Sequence, residues 1–230
     1  MKTSATDIRK HKRILNTFTG DQEKLLLVWM AERLPAWVMP DMLTIVGVIG
    51  AFVTFGGYAL SNLHPAYLWL ATFGFVINWF GDSLDGTLAR VRKIERPVYG
   101  FYVDHATDAF VEILIFLGVG VSPFVQFELA CLALIGYFLL SVLVYVRTCV
   151  RGEFTISYGK LGPTEARLIA ISANTLVYFM GNPSLTVISI SMTVYDWIVV
   201  GIVLLLAVIS VSTTLRQARI LAEMDRPRIQ

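Results

Sequence analysis

"GDSLDGTLARVRKIERPVYGFYVDHATD" occupies residues 81–108 and sets four aspartates, Asp82, Asp85, Asp104 and Asp108, between flanks that are almost wholly apolar. A charged side chain at the centre of a bilayer costs about 2.5–3.5 kcal/mol on insertion scales, so four carboxylates this close together need a cause. The rest of the chain says which solvent the segment is built for. Of 230 residues, 56% are hydrophobic and 16% are charged, and the mean hydropathy is +0.66. Those values exclude an ordinary soluble domain.

A bilayer core of ~30 Å is crossed by about 20 apolar helical residues. Six windows of that kind can be drawn: Met42–Leu60, Ala66–Ala89, Tyr99–Val121, Phe127–Val146, Ala166–Met180 and Thr193–Leu215. The third begins inside the quoted stretch, and the fifth is short and carries Asn174. Pro65, Pro97, Pro123, Gly162 with Pro163, and Gly181 with Pro183 separate them, as chain breakers should. The expected fold is an all-α integral membrane protein with six transmembrane helices and an N-terminal amphipathic surface helix.

Lysine and arginine give an independent check, because they stay in cytoplasmic loops. Seven precede the first window; Arg90, Arg92, Lys93 and Arg96 lie between the second and third; Arg147, Arg151, Lys160 and Arg167 lie between the fourth and fifth; Arg216, Arg219, Arg226 and Arg228 follow the sixth. The loops at 61–65, 122–126 and 181–192 carry none. Both termini are therefore expected in the cytoplasm. The net charge of +2 understates that face, which should be drawn to anionic membrane lipids. Residues 8–34 fit the same place: Arg9, Lys10, Lys12 and Arg13 precede "EKLLLVWMAERL", too polar to cross and apolar enough to lie in the interface. The basic start leads to no short apolar run with a small-residue cut site, so no cleavable signal peptide is expected. One domain, 1–230, is the simplest description, with an interfacial segment at 1–40, a helical core at 41–216 and a cytoplasmic tail at 217–230. Cys131 and Cys149 would stand ~27 Å apart along one helix and cannot pair.

On a helix advancing 100° per residue, Asp82 and Asp85 lie ~60° apart, with Gly86 and Ala89 on the same side. Asp104 and Asp108 are one turn apart, and Gly100 is one turn before them. The second and third windows are consecutive and antiparallel, so the end of one faces the start of the other and four carboxylates converge. Arg90 offsets one charge, but a set of oxygen ligands suits a hard divalent cation, magnesium or manganese, and has room for two ions. Asp82 lies ~24 Å along its helix from Ala66, near the cytoplasmic headgroups where a lipid phosphate sits. Intramembrane carboxylates also serve as plain ion-pair partners or line an ion path. Four at these spacings, with glycines between them, favour a metal centre.

These residues resemble the signature of the CDP-alcohol phosphotransferase family, D-x-x-D-G-x-x-A-R, a gap, then G-x-x-x-D-x-x-x-D. The chain reads "DSLDGTLAR", nine residues, then "GFYVDHATD", and every fixed position is filled. The family also has six transmembrane helices, cytoplasmic termini and an amphipathic segment before the first. Its members often carry P-N-x-x-T where that helix begins; here Pro40, Asp41 and Thr44 stand there, with aspartate in place of asparagine.

The resemblance implies transfer of a substituted phosphate from a CDP-linked donor, such as CDP-diacylglycerol, to an alcohol, with release of CMP. By position, Asp82, Asp85 and Asp104 would hold one metal ion, and Asp82, Asp104 and Asp108 a second, with Asp108 also the general base. Gly86 and Ala89 would leave room for the cytidine, Arg90 would grip the diphosphate, and Asp41 and Thr44 would lie at the nucleotide. Two divalent ions can bridge a diphosphate, and an alcohol becomes a good nucleophile only when a carboxylate takes its proton. Homodimers are usual in the family, and no nucleic-acid partner is expected.

Arg147, Arg151, Lys160 and Arg167 flank the loop between the fourth and fifth windows, where "GKLGPTEAR" resembles the corresponding segment of phosphatidylglycerol-phosphate and inositol-phosphate transferring members. Guanidinium groups are natural clamps for a phosphorylated acceptor such as glycerol phosphate or inositol phosphate. The alternatives are an unphosphorylated amino alcohol, or transfer from a CDP-amino alcohol to a lipid alcohol. His105 is a further acceptor candidate, and Glu112 continues the aspartate stripe by one turn. Trp29, Trp37, Trp69, Trp79 and Trp197 are expected as interfacial anchors, and Asp196 as an exposed helix-start residue. A rival from another class is a divalent-cation transporter built on the same carboxylates. Nucleotide chemistry needs Gly86, Ala89 and Arg90, whereas an arginine beside a cation path would hinder it.

Overall fold

Chain breakers mark the helix ends. The computed structural model describes residues 12–14, 20–151, 153–155, 162–187 and 190–224. It contains α1 (Gly20–Arg33), α2 (Pro40–Leu60), α3 (Leu68–Arg92), α4 (Pro97–Val121), α5 (Phe127–Arg151), α6 (Pro163–Met180) and α7 (Val194–Met224). Short strands β1 (Lys12–Ile14), β2 (Glu153–Thr155), β3 (Ser184–Val187) and β4 (Ile190–Thr193) accompany them. Pro40, Pro97 and Pro163 each open a helix, where the missing N–H was without an intrahelical partner anyway. Lys93 closes α3 in the left-handed region at φ 58°, and Gly181 closes α6 at φ 73°.

Each apolar window of the sequence becomes a helix. Among the described residues, α2, α5 and α7 are long and apolar enough to cross a membrane. Arg147 and Arg151 sit at the end of α5, and most other charges near the acidic stretch fall on the remaining helices. Asp82, Asp85, Arg90 and Arg92 lie on α3, Asp104, Asp108 and Glu112 on α4, and Glu165 and Arg167 on the 18-residue α6.

The fold is helical, as expected, with two small strand pairs added: β3 and β4 form an antiparallel hairpin, and β1 pairs in parallel with β2. "SLTV" and "ISMT" alternate polar with apolar or β-branched residues, a strand pattern hidden inside what read as a loop. The surface helix starts at Gly20, not near residue 8, and Lys12–Ile14 is a strand; residues 8–11 and 15–19 lie outside the described residues. Nor is α1 one-sided. Leu27 and Ala31 are buried with Val38, Leu43, Leu84 and Leu88, while Leu25, Leu26 and Trp29 face outward.

Arg92, read from sequence only as a cytoplasmic cation, fixes the turn that follows α1. Its Nη2 donates to the carbonyls of Leu34 and Pro35, both at 2.9 Å, and its Nη1 donates to that of Val38. Carbonyls left over at a helix end thus find donors on one rigid guanidinium fork.

The seam between α2 and α3 is made of small residues. A methyl added at Gly50 would fall on the backbone of Asn78, and one added at Gly81 on that of Gly47. Backbones this close pack without help from a hydrophobic driving force, which lipid does not supply. Gly81→Val is expected to lower the unfolding midpoint in detergent by about 4–12 °C, as overpacking costs of about 2–3 kcal/mol imply for a chain of this size. An unchanged midpoint would contradict the seam.

At the other end of the bundle, Asn174 of α6 is buried within a set of hydrogen bonds. The hydroxyls of Tyr58 on α2 and Tyr195 on α7 donate to its Oδ1 at 2.9 and 2.8 Å, and its Nδ2 donates to Thr72 Oγ1 on α3 at 3.3 Å. Asp196 starts α7 as expected but is buried, not exposed, at 2% accessibility. Its carboxylate accepts from the Gln126 and Thr193 backbone amides and from Gln126 Nε2, and donors of that number make burial tolerable. Trp79 ties α3 to α1. It is half-buried and donates from Nε1 to Glu23 Oε1 at 2.6 Å, an oxygen that Thr164 Oγ1 also reaches, at 2.7 Å.

Candidate active site

Asp82 follows Gly81 directly, so the packing that presses α3 onto α2 also sets the depth of its carboxylate. On α4, Asp104 and Asp108 share one face. One oxygen from each of Asp82, Asp104 and Asp108 lies within 4.8 Å of the other two, and all three residues are half-buried. Hard divalent cations bind oxygen at ~2.0–2.6 Å, so oxygens at this separation can share one ion.

Asp85 is not in that group. Its Oδ2 accepts from Thr44 Oγ1 at 2.6 Å, and its Oδ1 from the backbone amide of Gly86. Thr44 on α2 therefore touches the acidic centre through Asp85. A small cleft opens among Thr44, Gly47, Val48, Asn78, Asp82, Asp85, Thr107, Asp108 and Val111. Asp108 lines it on one side and Asp85 on another.

The candidate cations differ in what they touch. Arg167 reaches in from α6, with Nη2 donating to Asp82 Oδ2 at 2.6 Å and Nε to Asn78 Oδ1 at 2.9 Å. Arg90 lies along the exposed side of α3 and donates to Thr87 Oγ1 at 3.0 Å. Its guanidinium passes over Gly86, where a methyl would stand 3.3 Å from Nη1. Ala89 is half-buried beside it. Asp41 is ion-paired with Arg96, and Arg96 also sits 4.2 Å over the ring of Tyr99. Arg147 is half-buried on α5. Lys160 and the side chain of Arg151 lie outside the described residues.

His105 is a packing element in the fold. Its ring stacks on Phe101 at 4.1 Å and tilts against Tyr145 at 5.7 Å, and its Nδ1 stands 2.8 Å from the Phe101 carbonyl. Glu112, one turn beyond Asp108, meets the Tyr137 hydroxyl of α5, which hydrogen-bonds it, and lies in the field of Arg167. Asn78, Thr107 and Tyr137 escaped the sequence reading. Asn78 had a legible signal: it stands one turn before Asp82 on the same stripe of an otherwise apolar helix.

Fold and site together define an apolar helical bundle with an oxygen-rich centre at one end. The family model for CDP-alcohol phosphatidyltransferase matches residues 37–211, and the chain belongs to that family. It is 28% identical over 196 residues to "CDP-diacylglycerol--serine O-phosphatidyltransferase" of Encephalitozoon cuniculi, covering 76% of this chain and 48% of that one. It is 33% identical over 107 residues to "Phosphatidylinositol phosphate synthase" of Cutibacterium acnes, covering 46% and 49%. It is 24% identical over 163 residues to "Cholinephosphotransferase 1" of Danio rerio, covering 66% and 41%. The chain thus spans less than half the length of each of these curated relatives.

Proposed function

We propose that this chain transfers a phosphatidyl-type group from CDP-diacylglycerol to a polar alcohol and releases CMP, with six membrane crossings, cytoplasmic termini and a pair of divalent ions at the aspartates. The observation that carries the proposal is the convergence of Asp82, Asp104 and Asp108 from two antiparallel helices, at the acidic positions of the family's motif. Three carboxylate oxygens are the donor set that magnesium and manganese prefer. When bound, the metal would neutralise charge on the diphosphate during in-line displacement. Asp82, Asp104 and Asp108 would hold it, with Asp85 joining from beside Thr44.

The remaining work falls to the chain's own groups. Asp108 faces the cleft and would take the acceptor's hydroxyl proton. Gly86 and Ala89 would give the cytidine room, and Arg90, passing over Gly86, would hold the diphosphate. Asp41 would act on the nucleotide indirectly, by fixing Arg96. Arg147 and Arg167 are the described guanidinium groups on the acceptor side, which favours a phosphorylated alcohol. The relatives' names span both acceptor kinds, a phosphatidylinositol phosphate synthase and a serine transferase. A cation-transport reading is disfavoured by Arg167, which places a fixed positive charge against Asp82.

Thr44→Val removes the hydroxyl that holds Asp85 while keeping its shape. A lost orienting bond of this kind typically costs about 10–100-fold in metal affinity or activity, so the expected result is a fall of that size in CMP release with an unchanged unfolding midpoint. Wild-type release would show that Asp85 needs no such partner. The function itself is tested with purified protein, CDP-diacylglycerol, magnesium and a panel of alcohols: glycerol phosphate, inositol phosphate, serine and ethanolamine. CMP release with one phosphorylated alcohol is expected. Release with serine or ethanolamine alone would move the acceptor to the amino-alcohol class. Cation flux through proteoliposomes without any CMP release would replace the enzyme reading altogether.

A further inference from the structure

We infer that Arg167 is a permanent counter-ion of the aspartate centre that holds down its affinity for divalent cations; the inference rests on the metal reading above. The guanidinium is 11% exposed and is aimed by two bonds, from Nη2 to Asp82 Oδ2 and from Nε to Asn78 Oδ1. Asn78 is 1% exposed, and its Nδ2 donates to the Gly47 carbonyl at 2.9 Å, which obliges its own carbonyl oxygen to face Arg167. A continuous path of hydrogen bonds therefore runs from the α2 backbone through α3 to α6. Its end is one positive charge at Asp82, with Glu112 and Asp108 also in its field. An arginine does not lose its proton in a protein, so this charge is always present.

Two effects of such a neighbour oppose each other. A group that orients a ligand strengthens metal binding, and its loss typically weakens affinity about 10–100-fold. A fixed positive charge repels an incoming cation, doubly so for a divalent one, and a half-buried site screens that repulsion poorly. The repulsion dominates here because the backbone at Asp82 is fixed without Arg167, by the packing of Gly81 against Gly47, and a glutamine at 167 still supplies a donor to the carboxylate. Arg167 thus stabilises the cluster of acids before ions arrive and keeps the ions exchangeable afterwards.

The test is Mn2+ binding to the purified full chain in nanodiscs, read from the spin resonance of the free ion, together with thermal unfolding in EDTA and in Mn2+. Arg167→Gln keeps a donor for Asp82 and drops the charge. It is expected to bind Mn2+ on the order of tenfold more tightly than wild type, to unfold earlier in EDTA, and to gain more from Mn2+. Arg167→Lys keeps the charge and should stay close to wild type. Should Arg167→Gln not accumulate as folded protein, Arg167→Met, of similar length and no charge, is expected to show the same gain. Equal or weaker Mn2+ binding by the uncharged variant, with wild type binding normally, overturns this inference alone, because a merely structural loss weakens binding. No Mn2+ binding by wild type overturns the metal reading and this inference with it.

Discussion

Asp108→Asn should yield a folded protein whose CMP release falls by about a thousandfold, within the range of 10²–10⁴ that general-base loss produces. The substitution is nearly isosteric, so the packing of α4 beside α3 should survive and the unfolding midpoint should hold. What changes is chemistry at one side chain. The carboxamide cannot take a proton from the acceptor's hydroxyl, and it is a poorer ligand than the anion it replaces. Asp108 stands in the cleft and within 4.8 Å of its partners, so both losses fall on the same reaction. The measurement is CMP release at saturating magnesium alongside a melting curve. Release at the wild-type rate would remove Asp108 from the reaction.

Asp82→Ala should do more, since it acts on binding and on stability at once. Asp82 is expected in both ion sites, so Mn2+ binding should weaken by at least about a hundredfold, the upper end of what losing a residue that merely orients a ligand produces, and CMP release should be undetectable. The loss also deprives Arg167 of its closest partner, the carboxylate 2.6 Å away. A partly buried guanidinium stripped of a partner costs up to about 3 kcal/mol; Asp108 and Glu112 nearby offset part of this. The double variant Asp82→Ala, Arg167→Ala separates the two effects. It should recover much of the lost unfolding midpoint and none of the activity. Recovery of activity would place the metal elsewhere.

What could be read from sequence followed the local code. Helix limits were legible because Pro40, Pro97, Pro163 and Gly181 act within a turn of where they stand. The pairs Asp82 with Asp85 and Asp104 with Asp108 were legible because helical spacing alone puts each pair on one face. Everything that joined distant segments was not. Arg167 stood among the acceptor candidates, but its bond to Asp82, 85 residues away, has no trace in local spacing. Thr44 was assigned to the nucleotide, and only its contact across 41 residues shows that it holds Asp85. Asp196 looked exposed because its donors, above all Gln126, sit 70 residues away. The strands at 184–193 were missed because four-residue segments near a glycine and a proline carry too little pattern to outweigh a loop.

The knot at Asn174 has a consequence for motion. It ties Tyr58, Thr72 and Tyr195 from three other helices, and on α3 it stands ~15 Å from Asp82, ten residues at 1.5 Å each. Asn62 and Asn182 add bonds to the carbonyls of Val121 and Phe124 near the same end. The acids are tied separately, by Arg167 at Asp82 and Thr44 at Asp85, so α3 is fastened like a beam on two supports. Opening of the acidic end for a bulky headgroup would then leave the Asn174 end closed, because its bonds are separate from those at the acids.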